Sequence, residues 1–552
     1  MKRTREHPVL RRILPLILCA AFLLAQAPRP ARAAKAVPDI RVLLTRPGLT
    51  DEAWLTLDGR YLARCADGTE VLLPAGTAVT VFLRNGSLVL FHEGLSLSAG
   101  KELSLLRRRD GDTEPGIRFN LRAGTYPGDL TLTVKDGVIR PVLSLPLETY
   151  LLGVVPYEMS DSFPLEALKA QAVCARTYAL SRIGADPDWD VTDNTNDQVF
   201  NGVPASCENT LRAVEETEGL VLTYKGRLIT AWYSASNGGQ TELPGNIWSG
   251  KNIPACFAMT DDPWDAENPE STVRTAVLNK DGSAFPAGLL RLVRETLEAD
   301  ADWDAYRLSA EDELRVDAVR KVSLSAPRYA APSRLMTRLD LTLDLSASLK
   351  EKGPALVSAG SCTVSLDLFP EAVLLLGLSV YGADNEIVTV SEDETAFTLT
   401  SGRFGHGVGL SQRGAQYQAS KGEKTFREIL SFYYPGAALK RYAGEAAPLP
   451  TPDPALGVTP GPVPTATPRP TLMPVTEALP EGAWLASVEN IDEGSTLNLR
   501  EKPSPGAKIL MRLYRHQRLI VLEASEVAGW VRVKTDVIEG YVMLSFLQQA
   551  EP

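Results

Sequence analysis

Three stretches of this chain carry residues whose types and spacing can do chemistry. The first is Gly153-Val154-Val155-Pro156-Tyr157-Glu158-Met159. Glu158 is its one acid, set among Val155, Tyr157, Met159 and the later Phe163. A carboxyl in apolar surroundings loses the hydration of its charged form, so its pKa rises. Such a group holds a proton near neutrality and can give it to a leaving oxygen. The plainer alternative is a glutamate that caps the next helix or faces solvent. The second stretch is Ser234-Ala235-Ser236-Asn237-Gly238-Gly239-Gln240-Thr241. Its two glycines let backbone approach a ligand, and its hydroxyls and amides can meet sugar hydroxyls. An ordinary polar turn would read the same way. The third is Gly402–Gln412, with four glycines in eight residues around His406. That histidine can bind substrate, orient a carboxylate, or be structural. Tyr433 and Tyr434, further on, can stack on sugars or fill a core.

These residues need elements to hold them. Pro146 opens a helical segment at Leu147–Leu152, and Pro156 bars its smooth continuation. Glu158 then stands at a helix–helix junction. A second helix starts near Pro164, where the missing amide costs little. Its Leu165, Leu168, Ala172, Ala175 and Ala179 share one face. A third helix runs through Leu211, Val214 and Thr217 and stops at Gly219. A hairpin follows, Leu220–Tyr224 and Leu228–Tyr233 about Lys225-Gly226. Before all this, residues from about 37 to 140 read as short strands, with turns at Asn85-Gly86 and Asp136-Gly137. From about Ser271 to Thr400 the signal is mixed, with a helix near Leu289–Leu297. A helix is also expected near Arg413–Lys421.

The chain has 552 residues, which implies several domains. Its formal net charge of −11 argues against a general nucleic-acid binder, which presents a basic face to phosphate. Lys2, Arg3, Arg5, Arg11 and Arg12 precede an apolar run from Ile13 to about Ala25, then Ala25-Gln26-Ala27 and Ala31-Arg32-Ala33. That order is a secretory signal, cut or kept as an anchor. Cys19 lacks the small preceding residue of a lipidation site. No later segment is apolar enough to span a bilayer. Cys65, Cys174, Cys207, Cys256 and Cys362 are scattered and odd in number, so neither a disulfide framework nor a metal cluster is expected. Residues 443–482 are proline-rich and form an extended spacer. Beyond them, Leu497–Arg500, Leu519–Leu522 and Trp530–Val533 read as strands of a small barrel.

Taken together, the three stretches carry a resemblance. Leu147–Met159, Pro164–Tyr178, Ala213–Gly219, Ser236-Asn237-Gly238-Gly239 and Phe404–Gly414 resemble the stage II sporulation protein D (SpoIID/LytB) domain family, over about 300 residues. Leu497–Arg500, Pro503, Gly529–Val533 and Gly540-Tyr541-Val542 resemble a bacterial SH3-like domain, with Tyr541 where tryptophan is common. The first resemblance implies a peptidoglycan lytic transglycosylase that cuts between N-acetylmuramic acid and N-acetylglucosamine and leaves an anhydro sugar. It puts the catalytic acid/base on Glu158. It implies that Lys169, Gln171 and Arg176 line or support the cleft, and that Ser236, Gly238, His406 and Gln412 shape it. Some family members hold zinc between the second and third helices. Here that stretch, Asp193–Phe200, has no cysteine or histidine, so no metal and no cofactor is expected.

The expected fold is α+β, a mixed core with a helix–turn–helix catalytic segment, a β-rich N-terminal part and a small all-β SH3-like barrel. The expected domains are 1–34 signal or membrane anchor, 35–140 β-rich part, 141–442 catalytic core, 443–482 linker and 483–552 SH3-like domain. The expected function is glycan-strand cleavage in sporulation or wall remodelling by an exported envelope protein. The alternative is a non-catalytic enhancer of a cell-wall amidase, or a wall-binding structural protein. The expected partners are glycan strands and, by family analogy, an amidase. No nucleic acid is expected, and membrane only through an uncleaved N-terminus.

Overall fold

The computed structural model describes residues 38–109, 114–120, 122–248 and 255–442, and most of 483–549. The expected signal or anchor, 1–34, and the expected linker, 443–482, lie outside the described residues. Those up to Tyr442 form one compact unit, apart from Pro47–Ala53 and Val134–Arg140, which group with the C-terminal unit. The fold is mixed α+β and rich in strands.

The larger unit begins in two antiparallel-dominated sheets. One runs in the order 191–192, 39–43, 138–146, 129–135, 102–107, 61–65, 70–73. The other runs 95–100, 87–92, 78–84, 52–57, 117–119. Alternation decides which side chains go inside: Ile40, Val42, Leu103, Leu105, Leu130, Leu132, Leu143 and Leu145 are all fully buried. Each such leucine stabilises the fold by about 1.5–3 kcal/mol. The turn at Asn85-Gly86 takes positive φ at both residues, 51° and 75°, as a tight right-twisted hairpin requires. Strand Val138–Pro146 crosses residue 140 and runs directly into the first helix, so the β-rich part and the helical part share an element.

The helical part is α1 (Leu147–Leu152), the single turn α2 (Val155–Glu158), α3 (Leu165–Arg182) and α4 (Glu208–Glu216). Helix α3 is not amphipathic. Every residue from Ala167 to Leu180 is buried, and its alanines let neighbours approach from several sides. The structure differs from the expected hairpin. Leu220–Tyr224 pairs with the short Arg227-Leu228 on one edge and with Ala438–Arg441 on the other, while Tyr233-Ser234 pairs in parallel with Leu410-Ser411. The second half of the expected strand therefore belongs to a contact made 177 positions later (410 − 233). Local periodicity carries no trace of such a pairing.

Between α5 (Pro263–Ala266) and the glycine-rich loop the chain makes an excursion with its own core. Long strands Leu314–Pro327, Met336–Leu349 and Leu356–Asp367 form an antiparallel sheet. Helix α6 (Ala287–Glu298) lays Leu289, Val293 and Leu297 into the same core as Leu339, Leu341 and Leu343. The strand Ala396–Gly402 then returns the chain to α7 (Gln412–Ser420) and α8 (Phe426–Tyr433). The C-terminal unit is all strand, in the order 509–514, 496–500, 539–543, 530–534, 518–524, 484–488, 547–549. Its core is Ala486, Val488, Leu499, Leu519, Val521, Val533 and Val542. No helix among the described residues is long and apolar enough to cross a membrane.

Candidate active site

Pro156 confines α2 to one turn, and Met159 leaves it in extended conformation with φ −131°. Glu158 therefore sits at the end of a turn, partly exposed, with Val155 and Met159 buried on either side. One carboxylate oxygen, Oε1, accepts the Val199 amide at 3.0 Å. The other, Oε2, accepts the Gln412 side-chain amide at 3.3 Å. The Tyr233 phenol donates to the same carboxyl. Removal from water is the largest influence and raises the Glu158 pKa above the usual carboxylate value. The three donors and the nearby charge of Arg46 oppose that rise.

Behind Glu158 lies a chain of polar groups. The Tyr150 hydroxyl donates to Gln198 Oε1 at 3.3 Å, and Gln198 Nε2 donates to the Tyr233 hydroxyl at 2.9 Å. Gln198 and Val199 come from the loop Asp193–Phe200. Two aspartates fasten this loop. Asp193 accepts the Thr45 amide and hydroxyl at 2.8 and 2.6 Å and the Arg46 amide at 2.9 Å. Asp197 accepts the Tyr178 hydroxyl at 2.9 Å and the Thr192 amide at 2.8 Å. Phe200 stacks on Tyr150 with centroids 5.2 Å apart. Among the described residues no group of three or more His, Cys, Asp or Glu side chains is arranged to hold a metal.

A second polar cluster lies along the Ser236–Gln240 loop. Ser236 Oγ donates to Asp265 at 2.9 Å, and the Asn237 and Gly238 amides donate to Asp265 Oδ2 at 2.6 and 2.8 Å. Gly238 has φ +68°, and a Cβ there would meet the Arg403 nitrogen at 2.8 Å. Arg403 is fully buried. It donates to the Asn237 and Gln240 carbonyls at 3.0 Å and to Glu242 at 3.3 Å. The Tyr433 hydroxyl and Asn237 Nδ2 donate to Asp262 Oδ2 at 2.7 and 2.8 Å.

The structure thus brings Glu158 and Gln412 into contact. His406 reaches them through Tyr233, whose backbone it hydrogen-bonds. Ser236 and Gly238 belong to the second cluster, their polar atoms engaged by Asp265. Lys169 is buried between Glu166 at 2.6 Å and Glu216 at 2.5 Å. Arg176 is fully buried and grips Glu148 with two bonds of 2.8 and 2.6 Å, plus the Leu220 carbonyl at 3.2 Å. Both cations thus clamp α3 to its neighbours, with α1 and α4 among them. Gln171 is fully buried, and among the described residues neither of its side-chain polar atoms has a partner. Sequence reasoning missed Tyr233, Gln198, Arg46, Asp262 and Asp265. Of these, Tyr233 and Gln198 stood beside or within quoted stretches, but their tie to Glu158 runs through long-range pairing.

Two buried groups here titrate in opposite senses. Burial, reinforced by the charge of Asp265, pushes Asp262 up to about 6. Its contribution to stability is present below the ordinary carboxylate value and is lost as pH rises to about 6. Burial, helped by the Arg403 charge, pushes His406 down to about 4. Its contribution is present above the ordinary imidazole value and is lost as pH falls to about 4. Each shift is worth about 3 kcal/mol, so between pH 4 and 6 the two offset. Asp262→Asn is expected to make Tm fall more steeply than wild type on acidification from pH 6.5 to 4. His406→Gln is expected to make Tm fall relative to wild type from pH 4 to 6. Thermal melts that stay parallel to wild type in both variants would refute the coupling.

The family profile described as "Stage II sporulation protein" (SpoIID) matches residues 135–224, which include Glu158 and most of the helical part. The profile described as "Bacterial SH3 domain" matches residues 495–548. A Bacillus subtilis (strain 168) protein named "Amidase enhancer" is 33% identical over 297 residues, which are 53% of this chain and 40% of that one. The chain thus spans less than half the length of that relative. An uncharacterized protein of Brachyspira hyodysenteriae is 28% identical over 352 residues, 62% of this chain and 77% of the other. "Stage II sporulation protein D" of Bacillus subtilis is 28% identical over 315 residues, 54% of this chain and 75% of that one. Residues 135–224 therefore belong to a stage II sporulation protein (SpoIID) domain, and residues 495–548 to a bacterial SH3 domain.

Proposed function

We propose that the larger unit is a peptidoglycan lytic transglycosylase and that Glu158 is its acid and then its base. The single observation that carries this reading is the setting of Glu158: a carboxyl of raised pKa whose partners are an amide, a carboxamide and a phenol. In the first step Glu158 gives its proton to the glycosidic oxygen, and the bond from that oxygen to C1 of the muramyl sugar breaks. In the second step the Glu158 carboxylate takes the proton of the same sugar's C6 hydroxyl, whose oxygen bonds to C1 and closes the anhydro ring. The internal hydroxyl stands in for water, so a second catalytic carboxylate is not needed. Purified protein incubated with glycan strands is expected to release anhydro-muramyl products, read by mass spectrometry.

A second reading is favoured by one observation, the name "Amidase enhancer" on a relative 33% identical. In that case the protein would stimulate a cell-wall amidase without cutting glycan. Amidase turnover that rises equally with wild type and Glu158→Gln, with no anhydro product from either, would establish it.

In either reading the C-terminal SH3 domain acts as a wall-binding module on the proline-rich tether, and raises the local concentration of the larger unit at its polymer. On this reading the basic and apolar N-terminal segment exports the protein. Deleting residues 483–552 is expected to reduce retention on purified cell walls several-fold while soluble strands are still cut. Unchanged retention would count against that role.

A further inference from the structure

Two aromatic side chains stand exposed on the side of the glycine-rich loop that faces the inserted strands. Tyr381 is 51% exposed and Phe404 is 39% exposed. Their ring centroids lie 5.0 Å apart at an interplanar angle of 59°. Large exposed aromatics are costly to hydrate, and neighbouring ones mark binding surfaces more often than isolated ones do.

Both rings are displayed by rigid backbone. Phe404 follows Arg403, whose fully buried guanidinium is fixed by three acceptors. Its own backbone pairs in both directions with Ser236, at 3.2 and 3.0 Å. Tyr381 lies in a turn wound around the buried carboxylate of Glu386, which accepts the amides of Val380, Gly382 and Asn385 at 3.2, 3.2 and 3.1 Å. Asn385 ties that turn to the glycine-rich loop by donating to the Gly405 carbonyl at 3.0 Å. Its Oδ1 is buried and has no partner among the described residues. The two rings therefore hold their positions at little further entropic cost when something binds.

We infer that Tyr381 and Phe404 form a stacking platform for a pyranose ring of the glycan strand, a subsite away from the cleaved bond. This rests on the glycan-cleaving reading of Glu158. A β-linked amino sugar has its ring substituents equatorial, so each face offers axial C–H groups to an aromatic ring. Continuity favours this occupant. Phe404 is two residues from His406, which bonds the backbone of Tyr233, whose phenol reaches Glu158. A protein partner is less suited, because a stable protein interface covers about 800 Å² per side and the pair offers only two rings.

The test uses the full-length Glu158→Gln protein, so that bound strands are not cut, and titrates it with the dimer and hexamer of N-acetylglucosamine. The parent is expected to bind the hexamer more tightly than the dimer. Tyr381→Ala and Phe404→Ala are each expected to raise the hexamer Kd about five- to tenfold, with Tm unchanged because both side chains are exposed. Tyr381→Phe and Phe404→Tyr keep the rings and are expected to keep the affinity. Hexamer binding unchanged in the double alanine variant overturns the platform and leaves the cleavage reading standing. No hexamer binding by the parent overturns both. Loss of binding to a cell-wall amidase in the double variant, with hexamer binding intact, assigns the pair to a protein and overturns the platform.

Discussion

Glu158→Gln is expected to lower kcat on glycan strands by about 10³-fold, within the range a positioned general acid supplies. Binding of an N-acetylglucosamine hexamer is expected to persist, because the amide has the shape of the acid. One local adjustment accompanies the change. The new NH₂ can only donate, so with the new oxygen kept on the Val199 amide, Gln412 has to turn its own oxygen toward that NH₂. The pH profile adds an independent check. The raised pKa keeps Glu158 protonated above the usual carboxylate range. The acid step therefore fails only as pH rises through that raised value, and the alkaline limb of kcat/KM should lie above ordinary glutamate titration. Tyr233→Phe removes a donor that favours the charged form and should move that limb further up. Equal product from Glu158→Gln, measured as anhydro-muramyl release, would end the catalytic assignment.

The second large effect is on folding. Arg403 and Glu242 are 0% and 1% exposed and meet at 3.3 Å. Arg403→Met keeps much of the volume but leaves the Glu242 charge buried without its counter-ion. It also strips the Asn237 and Gln240 carbonyls of their donor. Breaking a buried pair from one side costs about 3–5 kcal/mol, so urea unfolding of the larger unit should shift by that amount. Arg403→Met with Glu242→Gln is expected to recover part of the loss, because a neutral side chain is cheaper to bury. A single-variant loss below about 1 kcal/mol would mean that the pair is hydrated and that the Ser236–Gln240 loop is held by other means.

How far the sequence reveals this arrangement can be judged element by element. The helix starts at Pro146 and Pro164, the short strands between about 37 and 140 and the barrel strands are legible from proline placement, apolar runs and turn residues. Matching these needs only neighbours in the chain. The partners of Glu158 were half legible. Gln412 stands out in the glycine-rich loop, whereas the Asp193–Phe200 loop shows only its lack of cysteine and histidine. Its actual role is to deliver the Val199 amide and Gln198. Tyr233 was read as the end of a hairpin, because nothing nearby predicts its parallel pairing with Leu410. Lys169 and Arg176 look like substrate ligands by motif, yet folding places their cations against Glu166, Glu216 and Glu148. The interior of a helix with alanine on most sides gives no amphipathic signal from which to foresee that.

The row Tyr150, Gln198, Tyr233 has a polarity that bears on how one carboxyl can serve twice. Gln198 receives at its oxygen and gives at its nitrogen, so Tyr233 must aim its hydrogen forward, at Glu158. With the Val199 and Gln412 donors, three hydrogens converge on the carboxyl. A proton carried by Glu158 is thereby steered to its outward lobe, where the partly exposed side of the residue opens. Once that proton leaves, the anion finds its solvation waiting and no dipole has to reorient. Under the proposed acid/base role of Glu158, the proton's departure and its later recapture would need no rearrangement of these donors.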